Sequence, residues 1–140
     1  MEFRKVDSAY FVRLEKGEEI VETLTSFVQK QNITAGSITG IGATDSVTLK
    51  YYNRELKQYV SNGFDGEYEI LALGGNISLL DGKPWPHLHV VISGPDYRCL
   101  GGHLESATVG VTCEIVIHTA ETAIERVMDE AIGVKLWQLS

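Results

Sequence analysis

Three of the chain's four histidines fall within seventeen residues, in the stretch PWPHLHVVISGPDYRCLGGHL, Pro84–Leu104. His87 and His89 are separated only by Leu88. In an extended strand, residues i and i+2 project from one face, so the two imidazoles would stand together while Leu88 and Val90 turn into the core. The sequence then predicts a hairpin: HLHVVIS, a turn at Gly94-Pro95-Asp96, and a returning strand YRCLGGHL. His89 lies about six residues before the turn and His103 about seven after it, which makes them near cross-strand neighbours.

Three neutral imidazoles converging on one point suit zinc or another borderline divalent cation, with water as a fourth ligand. Such a site is open, and a metal there could serve as a Lewis acid or a source of hydroxide. Gly101 and Gly102 would leave room for an ion, although a β-bulge explains them equally well. The competing readings are an H-x-H pair that is surface chance, and a histidine acting as base for Cys99 or a serine. The second lacks any nucleophile-elbow pattern and leaves two histidines without a role. His118 closes the strand CEIVIHT and shares its face with Val116 and Glu114, not with the trio. Ligation requires neutral imidazole, so metal binding is expected to weaken below about pH 6.

Three carboxylates are candidates for a supporting role. Glu105 and Glu114 are close to the histidines in sequence and could orient a ligand or accept a proton. Glu69 interrupts an apolar strand beside Ile70 and Leu71, both read as buried, and alternation places its own side chain in solvent. Gly40-Ile41-Gly42-Ala43 has neither G-x-G-x-x-G nor a Walker lysine, so no nucleotide site is supported.

The elements that must position these residues read as mainly β. One amphipathic helix is expected over Gly17–Asn32, with Ile20, Val21, Leu24, Phe27 and Val28 on one stripe and Asn32 as a left-handed cap. Strands are expected from AYFVRL onward: SITGIG, DSVTLKYYN, KQYVS, YEILALGGNISLL, HLHVVIS and ATVGVTCEIVIH. The tail reads two ways: Ile124, Val127 and Met128 suit a helix turn, while V-K-L-W-Q-L alternates like a strand, in which case Asp129–Gly133 would be a turn between two short strands. The expected fold is α+β: a curved, mainly antiparallel sheet with one principal helix packed on it, as a single domain over residues 1–140. Trp85, between two prolines, would stiffen the approach to the H-x-H strand, and Trp137 would fill the core or an oligomer interface.

Composition sets further bounds. Of 140 residues, 44% are apolar and 22% charged, an ordinary globular balance. The N-terminal segment carries no apolar signal region and no run approaches a membrane span, which leads to a cytoplasmic expectation and no membrane partner. Cys99 and Cys113, expected on neighbouring strands, should then be reduced. Twelve basic and nineteen acidic residues give a net charge of −7. The only adjacent basic pair is Arg4-Lys5, so direct DNA binding is disfavoured.

The ordered fragments GEYEILALGGNIS, HLHVVISGPD, GGHL and CEIVIH resemble the PPC (plants and prokaryotes conserved, also called DUF296) domain, over nearly the whole chain. The resemblance implies an antiparallel α+β fold, a homotrimer, and a histidine metal site at His87, His89 and His103. The fold is also similar to that of acetolactate decarboxylase, which holds zinc with three histidines, so metal-dependent chemistry on a small molecule is one implied function. Plant relatives carry AT-hooks and use a Gly-Arg-Phe-Glu-Ile-Leu hexapeptide for partner contacts, which implies the alternative of a non-catalytic scaffold or DNA-associated regulatory module. Here the hexapeptide is Gly66–Leu71 with Glu67 in place of arginine, and no AT-hook core is present.

Overall fold

The computed structural model describes residues 1–140. The chain runs β1 (Glu2–Val6), β2 (Ala9–Glu15), α1 (Ile20–Lys30), β3 (Gly36–Asn53), β4 (Gln58–Leu80), β5 (Lys83–Ser93), β6 (Cys99–Thr119), β7 (Glu125–Asp129) and β8 (Val134–Gln138). The expected α+β class holds: one helix lies on a strongly curved sheet whose pairings are antiparallel except for a single parallel β4–β7 contact at Leu79 and Glu125.

Helix α1 starts where Glu19, in an extended conformation, accepts a hydrogen bond from the Glu22 N–H, and it ends at Gln31, followed by Asn32 at a φ of 51°. The expected left-handed Asn32 is therefore present. Ile20, Leu24, Phe27 and Val28 are buried against the sheet, and each such side chain contributes about 1.5–3 kcal/mol through removal from water. They join one continuous core with Val12, Leu14, Ile38, Leu73, Ile77, Leu88, Val90, Ile115 and Ile117.

Four strands close on themselves: β3 pairs β4, β4 pairs β5, β5 pairs β6, and β6 pairs β3. SITGIG and DSVTLKYYN, expected as separate strands, form one 18-residue strand bent by register shifts between Gly40 and Gly42 and between Thr44 and Ser46. Likewise KQYVS and YEILALGGNISLL merge into β4, and the two cysteine-bearing segments merge into β6. Cys99 and Cys113 thus share one strand instead of occupying neighbours; both are free, Cys99 exposed and Cys113 buried. Bulges let a long strand turn the corner of a closed sheet without a loop. Another bulge, between Ile70 and Ala72, turns Leu71 outward, so it is exposed, contrary to expectation, while Ile70 is buried.

Strand β1 was not expected. Its five residues, EFRKV, are all exposed and pair only with β2, so charge hides the alternation by which a half-buried strand is recognised. Of the two readings of the tail, the structure has the hairpin, β7 and β8.

Candidate metal centre

The sequence placed the three histidines by counting from a turn, and the register bears that count out: His89 and His103 are direct cross-strand partners on β5 and β6. Leu88 and Val90 are buried at 2% and 3% exposure, as alternation requires, leaving His87 and His89 on the other face. The ring centroids of His87, His89 and His103 lie 5.0–5.4 Å apart. One ligand nitrogen from each falls within 4.8 Å of the other two, so three imidazole nitrogens converge, a set suited to a borderline divalent cation. His87 Nε2 and His103 Nδ1 are 3.1 Å apart.

The backbone around the site explains the glycines differently from the expectation. A Cβ on Gly101 would lie 2.8 Å from the Val90 carbonyl oxygen, and one on Gly102 would lie 2.9 Å from that of Lys50. The pair lets β6 pass closely between β5 and β3, which closes the sheet at this corner; it does not clear space for an ion.

Around the imidazoles stand side chains from six strands, β3 to β8. Trp85 stacks on His87 at 5.5 Å, and Tyr59 packs on His103 at 5.1 Å. Behind His87, Arg126 of β7 donates from Nη2 to His87 Nδ1 at 3.2 Å and to Asn76 Oδ1 at 2.9 Å. Its Nε donates to Ser78 Oγ at 2.8 Å and its Nη1 to the Lys135 carbonyl at 3.2 Å. The guanidinium lies 5.3 Å from the Trp85 ring and 5.8 Å from that of Trp137. Beside His103, its cross-strand partner Lys50 is ion-paired to Glu105 at 2.6 Å, and Ser61 donates to the same carboxylate at 2.7 Å.

Burial pushes the His87 imidazole down to about pKa 4, helped by the positive charge of Arg126 and by the neighbouring histidines. Burial likewise pushes His103 down to about 4, with His89 and Lys50 acting in the same direction and Glu105 opposing them. Both rings are therefore neutral at pH 7, the form that ligates metal.

Of the three candidate carboxylates, Glu105 alone is brought to the triad. Glu69 is exposed and opposite Ser93, four residues beyond His89 along β5, and Glu114 pairs with Ile41 and Arg13, eleven residues beyond His103 along β6. Neither joins the site. His118, opposite Ser37 and Ala9, also lies away from it. Arg126, Asn76, Ser78, Lys50 and Tyr59 escaped the sequence reading. Only Asn76 carried a signal, as a polar residue in the GGN stretch that faces the H-x-H strand; Arg126 is brought in by a tail whose pairing no local pattern announces. Trp137, expected in the core or an interface, covers Arg126 and is 42% exposed.

Four strands close on themselves and carry the three histidines, and residues 1–121 match the Plants and Prokaryotes Conserved (PCC) domain. The chain belongs to this family. Its structure is similar to that of a Bacteroides thetaiotaomicron protein described as a candidate DNA-binding protein, at a TM-score of 0.95 and 33% identity, over 98% of this chain and 96% of that one. It is similar as well to a metal-containing protein of Archaeoglobus fulgidus, at a TM-score of 0.87 and 38% identity, again over 98% and 96%. Among curated proteins it resembles bifunctional protein GlmU of a Synechococcus strain, 30% identical over 89% of this chain, and AT-hook motif nuclear-localized protein 5 of Arabidopsis thaliana, 31% identical over 66%. The chain spans only 19% and 25% of those two proteins. Acetolactate decarboxylase of Bacillus subtilis shares the fold alone, at 15% identity and a TM-score of 0.59.

Proposed function

We propose that the protein is a homotrimeric metal-binding domain in which His87, His89 and His103 hold a divalent cation, zinc being the expected one, for chemistry on a small molecule. The observation that carries this reading is the convergence of one ligand nitrogen from each of three imidazoles within 4.8 Å. A metal held there supplies Lewis acidity at an open position. Among the chain's own residues, Trp85 and Tyr59 wall the imidazoles with aromatic surface, and Glu105 offers a carboxylate beside His103. The description of the Archaeoglobus relative as metal-containing favours the same reading.

The homotrimer is supported by a groove of about 880 Å³ on the sheet face that the helix leaves uncovered, where Phe11, Ile41 and Leu71 are each about half exposed. Apolar area of this kind usually marks an association surface. One row of cross-strand partners runs along that face from Phe11 through Val116, Thr39 and Gly74 to His89, so the groove and the metal centre share it. No helix is long and apolar enough to cross a membrane, and a cytoplasmic location is consistent with free thiols.

A second reading, a non-catalytic scaffold or DNA-associated module, draws on how the Bacteroides relative is described. The net charge of −7 opposes direct DNA contact, and absence of retardation in a low-salt mobility-shift assay would remove it.

Elemental analysis of the purified protein tests the main reading. Close to one equivalent of metal per chain is expected, lost when all three histidines are replaced by alanine. Unchanged metal content in that variant would overturn the assignment.

A further inference from the structure

The two cations flanking the triad are balanced differently. Lys50 is neutralised by Glu105. Arg126 takes part in none of the chain's six ion pairs, and its four hydrogen bonds all go to neutral acceptors. A partly buried guanidinium without a counter-charge, held between two indole rings, is a costly arrangement unless an anion joins it.

The contact with His87 adds a chemical constraint. Arginine can only donate, so His87 Nδ1 must present its lone pair to Nη2. A neutral imidazole has one such nitrogen; its Nε2 then carries the proton and donates to His103 Nδ1. A metal ligand also needs a lone pair. If His87 ligates through Nε2, its proton sits on Nδ1, facing the Nη2 donor; if it ligates through Nδ1, the metal takes the place of that donor. In either case neutral His87 cannot serve Arg126 and a metal together. Metal uptake therefore leaves Arg126 with two N–H groups lacking an acceptor: the displaced one on Nη2 and the fifth, which no residue of the chain accepts.

We propose that the site takes up a divalent metal together with a small carboxylate, Arg126 surrendering His87 to the metal and turning its freed N–H groups to the anion. One carboxylate balances one uncompensated guanidinium, and its planar pair of oxygens matches the planar donor fork. This rests on the metal reading above and specifies the ligand class of that centre. By linkage, metal and carboxylate must each tighten the binding of the other.

Cobalt(II), whose visible spectrum reports its ligands, is titrated into the full-length metal-free protein with and without sodium acetate, and again with sodium phosphate. Acetate is expected to tighten cobalt binding by about tenfold, within the usual range of coupling between two sites, and to alter the spectrum. Arg126→Met removes the competitor for His87, so cobalt alone should bind more tightly than to the unaltered protein, while the acetate effect disappears. Arg126→Lys, which keeps the charge without the fork, should retain only part of the effect and serves if the Met variant fails to fold. An acetate effect of equal size in both variants, none in the unaltered protein, or a larger effect of phosphate than of acetate would overturn the proposal. Failure of the unaltered protein to bind cobalt at all would instead remove the metal reading on which it rests.

Discussion

The two sides of the triad make an instructive pair. His87 and His103 are both held down to about pKa 4, burial being the main cause for each, and each has a cation at its flank. On the His103 side the cation, Lys50, is part of an exposed carboxylate pair that also engages Ser61. On the His87 side the cation, Arg126, is partly buried, bonded only to neutral acceptors and covered by Trp85 and Trp137. Equal acidity therefore arises from unequal environments. What distinguishes the flanks is where uncompensated charge remains, and this is what a ligand will sense.

The largest effect expected from this comparison is on acid stability, where both flanks act together. In the unfolded chain these imidazoles take up protons near their ordinary value of 6.5, whereas in the folded chain they resist protonation until about 4. Folded pKa values below the unfolded ones mean that the unfolded state binds more protons between those limits. Stability is thus full above pH 6.5 and falls as pH drops towards 4. The melting temperature of the metal-free protein should decrease by more than about 5 °C across that window, and much less when all three histidines are alanine, measured by circular dichroism. Equal decreases in the two proteins would show that the histidines are not the groups responsible. The same values sharpen the expectation of metal loss below pH 6: His87 and His103 stay neutral at pH 5, so metal should be retained there and released closer to pH 4.

A smaller effect is expected from Glu105→Gln, which leaves Lys50 uncompensated and makes the His103 flank resemble the His87 flank. Glu105 favours positive charge at His103, so its loss should weaken metal binding, by no more than about fivefold because the pair is exposed. Metal affinity by competition with a chromophoric chelator measures this. A rise in affinity would reverse the sign of the comparison.

The legibility of the site in the sequence follows the range of the interactions involved. His87, His89 and His103 were readable because strand alternation and one tight turn are local rules, and the register places His89 opposite His103 as counted. Helix α1 and its Asn32 cap were readable for the same reason. Strand boundaries were not: SITGIG and DSVTLKYYN join through a register shift at Thr44–Ser46, and the bulge at Ile70–Ala72 turns Leu71 outward. Strand β1 carries no alternating burial at all. Arg126 reaches His87 across 39 residues of chain through the β7–β8 hairpin, and such placement depends on tertiary closure that no short window contains.

The central claim is that three imidazoles share one ion, and X-ray absorption at the zinc edge of the zinc-loaded protein tests it most directly. Three histidine nitrogens at about 2.0–2.1 Å, with the multiple-scattering signature of imidazole rings, are predicted. A first shell with fewer than three imidazoles, or one containing sulfur from Cys99, would contradict the account.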